Sequence, residues 1–111
     1  MKTEKTFTAN IYIGFRERYS DILHTYDEAE EIIQKYCDEA SYCVSITKTT
    51  FIYKEGNEGG IIVGLINYPR FPSANEDITN KAIEIAKIFL EKFVQNRISI
   101  VCSNLTYLVE S

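Results

Sequence analysis

Two stretches of the chain gather side chains that can bind an anion or a planar ring. The first, Tyr68-Pro69-Arg70-Phe71-Pro72-Ser73, runs into Asn75 at the start of a helical pattern. Its prolines fix φ at their own positions and bias Tyr68 and Phe71 toward extended backbone, so the connection is stiff. It presents aromatic rings and the Arg70 guanidinium beside a helix N-terminus, whose free N–H groups and partial positive charge attract anions. Arg70 can meet a phosphate in bidentate fashion, and Tyr68 or Phe71 can stack on a base. Asn67, Ser73 or Asn75 can read the polar edges of that base. A purely structural alternative stays open, with Phe71 as a hydrophobic staple, Ser73 or Asn75 as an N-cap, and Arg70 as an exposed charge.

The second stretch holds Arg16, Arg18, Tyr19, Ser20 and His24. There the guanidinium groups would contact a phosphate or carboxylate, with Tyr19 as a stacking platform. The structural alternative is a solvated loop in which His24 is exposed and neutral.

Catalysis has little support. The lone histidine has no partner in a Ser–His–Asp order, and no nucleophile elbow, P-loop, dinucleotide fingerprint or metal-ligand spacing occurs. No catalytic residue, metal or cofactor is expected. Cys37, Cys43 and Cys102 are odd in number, lack a CxxC spacing and fall in periodic apolar segments, which reads as reduced core or strand cysteines.

The elements that must position these groups follow from periodicity. Residues 7–15 alternate strictly, with Phe7, Ala9, Ile11, Ile13 and Phe15 on one face of a strand. Thr25-x-x-Glu28 is a capping box, and Ala29, Ile32, Ile33, Tyr36, Cys37 and Ala40 recur at helical spacing over 26–40. The opposite face of that helix carries Asp27, Glu28, Glu30, Glu31, Asp38 and Glu39, a solvated acidic face. Residues 42–54 read as a strand that puts Val44 and Ile46 on one face and Phe51 and Tyr53 on the other. That pattern implies a bulge near Lys48–Thr49 or partial cover on both faces. Residues 55–60 (EGNEGG) read as a hairpin loop, and 61–66 (IIVGLI) as a central strand covered on each side. A second helix spans roughly 76–95, with a stripe wide enough to reach another subunit. Strands at 97–102 and 105–110 flank a Ser103-Asn104 turn.

The order β-α-β-β-α-β-β predicts an α+β fold: a ferredoxin-like split βαβ antiparallel sheet, with an extra C-terminal strand and two helices on one face. In that topology the two candidate stretches lie at opposite ends of the sheet, so they could meet only across a two-fold interface.

Totals bound the rest. A chain of 111 residues, 45% hydrophobic and 25% charged, supports one globular domain over 1–111. A net charge of −4 argues against duplex nucleic acid, which needs a clustered positive footprint. The polar N-terminus lacks the apolar core of a signal peptide, and no run is long enough for a membrane span, so a cytoplasmic protein without a membrane partner is expected.

Ile11-Tyr12-Ile13-Gly14-Phe15, the pair Tyr42–Thr47 and Thr50–Tyr53, and above all Ile62–Pro72 resemble a group of short bacteriophage proteins, over about residues 7–73. The resemblance implies a small phage accessory protein made in the bacterial cytosol. Phage proteins of this size include anti-defence sponges that sequester nucleotide second messengers, as Thoeris and CBASS inhibitors do. The expected function is therefore a non-enzymatic homodimer or higher homo-oligomer that binds a small nucleotide, an ADP-ribose derivative or cyclic dinucleotide. Tyr68, Arg70, Phe71, Ser73, Asn75, Arg16, Arg18 and Tyr19 would be its ligand-binding residues. The alternatives are a protein-interaction module that inhibits a host protein and a small phosphodiesterase using His24.

Overall fold

The alternation of Phe7, Ala9, Ile11 and Ile13 is realised as β1 (Thr8–Gly14), whose buried face lies under two helices in a computed structural model describing residues 1–111. The remaining elements are α1 (Tyr26–Ala40), β2 (Ser45–Tyr53), β3 (Gly56–Ile66), α2 (Asn75–Lys92), β4 (Arg97–Cys102) and β5 (Thr106–Glu110). They build a five-stranded sheet in the order β2-β3-β1-β4-β5, every neighbouring pair antiparallel. This is the expected ferredoxin-like arrangement, with β5 added outside β4. No helix is long and apolar enough to cross a membrane.

Local chemistry explains the helices. Thr25 caps α1, its Oγ1 accepting from the Glu28 N–H at 3.2 Å, and the carboxylates of Asp27 and Glu28 lie favourably in the first turn. Ala29, Ile33 and Tyr36 face the core, while the acidic residues are exposed as expected. The α2 N-cap is Ala74, which makes no side-chain cap bond, so neither Ser73 nor Asn75 fills that role.

The packing bears on four expectations. The α2 stripe needs no second subunit to cover it: Ile78, Ala82, Ile85, Ala86, Phe89, Leu90 and Phe93 are all buried within the chain, and Ile83 and Ile88 pack at their margin. The β2–β3 register runs unbroken from Ser45↔Gly64 to Tyr53↔Gly56, so there is no bulge and the other alternative holds, both faces of β2 being partly covered at Ile46 and Phe51. Val44 and Ile46 pack toward the helices, and Phe51 and Tyr53 lie on the opposite face. Residues 55–60 are not a loop. The chain turns at Lys54–Glu55, with Glu55 at φ 61°, and β3 already begins at Gly56. No glycine has a positive φ. Gly56 and Gly60 instead leave room for rings, since a Cβ at Gly56 would strike Tyr53 and one at Gly60 would lie 2.5 Å from Phe51 Cε2. Finally, β3 is covered on one side only. Ile61, Val63 and Leu65 are buried beneath the helices, whereas Ile62 is half-buried and Ile66 exposed on the helix-free face.

Candidate functional site

The β1–β3 register pairs Thr8 with Ile66 and Gly14 with Gly60. The two sequence-predicted clusters therefore lie at opposite ends of the sheet, as the topology requires.

At the end where β3 finishes, Tyr68, Phe71 and Ser73 do come together. With Ser41, Tyr42, Cys43 and Ile66 they line a cavity of about 240 Å³. The Cys43 thiol points at the Tyr68 hydroxyl at 3.8 Å, and burial together with that thiol raises the Tyr68 phenol pKa. The segment is braced by Asn67, whose Oδ1 accepts from the Ser73 N–H at 2.9 Å and whose Nδ2 donates to the Lys5 carbonyl at 3.1 Å. Asn67 thus holds the backbone and is not free to read a base. Phe71 is 70% exposed, which rules out the staple role, and the Arg70 guanidinium lies 5.2 Å from its ring centroid. Asn75 is separated from this cavity and lines another of about 290 Å³ with Asn104 and Tyr107.

At the other end, Arg16, Arg18 and Tyr19 do not converge. Arg16 Nη1 donates to the Ser20 carbonyl at 3.0 Å and lies 3.8 Å from Asp21. Arg18, at φ 42°, borders a cavity of about 490 Å³ beside Lys87, Glu91 and Glu110, and Tyr19 projects into solvent at 87% exposure. His24 is not exposed. Its ring stacks on Phe93 at 4.3 Å, its Nδ1 lies 2.6 Å from Glu28 Oε2, and its Nε2 lies 2.8 Å from Glu17 Oε2. Burial opposes protonation, but bonds to the two carboxylates outweigh it and raise the imidazole pKa; the same pairing lowers that of Glu28. With both ring nitrogens engaged, His24 has none left to serve a phosphodiesterase as acid or base.

The helix-free face of the sheet holds a group that the residue patterns did not single out. Glu58, half-buried in β3, is the cross-strand partner of Phe51. Its carboxylate reaches over Gly14, where an added Cβ would lie 2.5 Å from Oε2, and accepts from the Arg16 backbone N–H at 3.2 Å. Tyr53 follows on the same face, and no cation pairs with Glu58. A carboxylate among aromatic rings is suited to an organic cation, which gains both charge attraction and ring-face contact. The signal that could have found it is the opposed phase of Phe51 and Tyr53 against Val44 and Ile46. Further along this face Tyr12, Ile66, Val101 and Leu108 are exposed, set among Thr8, Asn10, Ser99 and Thr106. The three cysteines are free, and no cluster of metal-ligating side chains occurs.

The sequence matches no family model and no curated protein. Solved structures share its fold. A phage SAM lyase in complex with S-methyl-5'-thioadenosine is similar at TM-score 0.83 and 15% identity, covering 100% of this chain and 94% of that one. A phage SAM lyase in its apo state is similar at TM-score 0.80 and 16% identity, covering 95% and 89%. The likeness therefore includes β5, and it supports the ferredoxin-like assignment. It corrects the functional expectation. These two structures are named as a SAM lyase, not as sponges that sequester ADP-ribose derivatives or cyclic dinucleotides. A small-molecule ligand on such a fold is in keeping with the thioadenosine held by the first of them.

Proposed function

We propose that this chain is a phage enzyme that degrades S-adenosylmethionine (SAM) to S-methyl-5'-thioadenosine, with its site on the helix-free sheet face around Glu58, Phe51 and Tyr53. The observation that carries this reading is Glu58, an unpaired carboxylate beside aromatic rings on a fold whose solved relatives in shape are SAM lyases. SAM is a sulfonium cation, and Glu58 with the two rings supplies what such a cation lacks outside water. Forming the thioadenosine breaks the bond between sulfur and the γ-carbon of the amino-acid arm. The bonding pair stays with sulfur, which becomes a neutral thioether. A lyase does this without water, so an oxygen of the substrate's own α-carboxylate attacks the γ-carbon as the bond to sulfur breaks, closing a five-membered lactone that leaves beside the thioadenosine. The sulfonium and carboxylate charges cancel on the way to the transition state, so an apolar, water-poor surface favours the reaction. Glu58 selects and orients the sulfonium.

No cavity of the single chain includes Glu58. A ligand of this size is ordinarily buried over most of its surface, so a second copy laid against the exposed Tyr12, Val101 and Leu108 of this face would complete the site. On this reading the homo-oligomer interface lies on the sheet face. The phage origin and bacterial cytosol implied by the sequence resemblance fit the same reading, because SAM is the methyl donor used by cellular methyltransferases.

The test is incubation of the purified protein with SAM and chromatography of the products. Thioadenosine should accumulate as SAM disappears, and Glu58→Gln should lower kcat/KM about tenfold or more, the equivalent of one charge-assisted contact. Intact SAM after prolonged incubation with folded protein refutes the reading.

A further inference from the structure

We propose that His24 is a positioning residue for this site: clamped between Glu17 and Glu28, it holds the Arg16 peptide so that its N–H fixes the Glu58 carboxylate. The inference rests on the placement of the site at Glu58. Its geometry is a chain of short contacts. Glu28 on α1 meets His24 Nδ1 at 2.6 Å, and Glu17 meets Nε2 at 2.8 Å. Glu17 is the next residue after Arg16, whose N–H reaches Glu58 Oε2 at 3.2 Å. The segment between is closed on itself, with the His24 N–H on the Phe15 carbonyl at 2.7 Å and the Glu17 N–H on the Ile22 carbonyl at 2.9 Å. From the C-cap of α2, Phe93 backs the imidazole at 4.3 Å, and the nearby Gln95 Nε2 donates to the Arg16 carbonyl at 2.6 Å.

The clamp depends on charge. An ionised carboxylate only accepts hydrogen bonds, and a neutral imidazole has a single N–H to donate. Both contacts are satisfied together only by the imidazolium. Deprotonation leaves one carboxylate facing a lone pair, and loss of the Glu17 arm releases the residue adjoining the Arg16 peptide. The charged groups facing the ring are Glu17 from its own loop and Glu28 from α1, while Phe93 of the α2 cap is uncharged. The remaining ion pair of the loop, Arg16 with Asp21, is directed to solvent through a fully exposed Asp21.

The experiment follows the Arg16 amide resonance of the ¹⁵N-labelled full chain through a pH titration, alongside the pH profile of kcat/KM on SAM. In wild type the resonance should move as His24 titrates, and kcat/KM should fall over the same interval. In His24→Gln the movement should vanish and kcat/KM should lie roughly 10- to 100-fold lower, the scale for a reacting geometry displaced by an ångström. Glu17→Gln keeps the ring stacked on Phe93 and tests the same arm should His24→Gln fold poorly. A folded variant with the wild-type Arg16 resonance and pH profile overturns the inference. If wild type releases no thioadenosine while the Arg16 resonance still follows His24, the lyase reading falls and the link between His24 and Arg16 stands.

Discussion

Adding one methyl group at Gly60 tests whether the glycine-rich stretch is strand or turn. Gly60 pairs with Gly14 on one side and Thr49 on the other, in the middle of the sheet. The Cβ of Gly60→Ala would lie 2.5 Å from Phe51 Cε2 and against the Ile13 carbonyl oxygen. The ring can swing aside, but the carbonyl belongs to the β1 backbone and yields only if the strand moves. Overpacking of this kind costs about 1–3 kcal/mol. Removing a glycine from a strand recovers roughly 0.5–1 kcal/mol of backbone entropy, which leaves a net loss centred near about 1 kcal/mol and reaching about 2.5 kcal/mol. For a domain of this length the central value lowers Tm by roughly 4–8 °C, readable by circular dichroism. Gly59→Ala is the internal control, since its Cβ would meet Phe15 at 3.5 Å, an ordinary contact, and Tm should hold or rise. In Phe51→Ala/Gly60→Ala the two losses should sum to more than the measured change, because the ring no longer obstructs the methyl. A Gly60→Ala protein as stable as wild type would refute the strand packing and return this stretch to an open turn.

Tyr42 holds a buried hydroxyl with no hydrogen-bond partner. Tyr42→Phe should therefore raise stability by about 1–3 kcal/mol in urea unfolding, the desolvation cost of an unpaired group. The His24 pKa is raised above its ordinary 6.5, so the clamp's contribution is full below that value and is lost as pH rises through the folded pKa. The Glu28 pKa is lowered from 4.5, so its share is present above that value and is lost as pH falls through the folded pKa. Tm should accordingly peak between these limits, and its alkaline decline should flatten in His24→Gln. Leu108, 55% exposed on the helix-free face, should become Asp without loss of folding but with dissociation to monomers in light scattering. An unchanged mass would remove the sheet face as the interface.

What the sequence determined by itself was local. The alternation of Phe7 to Ile13, the Thr25–Glu28 cap and the three-and-four spacing of α1 and α2 each report on neighbours within one element, where 2.0 and 3.6 residue periods dictate which side is apolar. From these the element order and the ferredoxin-like topology followed. The site needed contacts between distant segments. Glu58 meets Arg16 across 42 positions, and His24 is backed by Phe93 from the end of α2. The glycines of 55–60 read as turn residues because composition cannot distinguish a positive φ from a seat for a neighbouring ring, and only the β2–β3 register shows which is present. For the same reason the wide stripe of α2 was legible as apolar but not as already buried. Periodicity states that a face must be covered; what covers it depends on the packing of elements far apart in the chain.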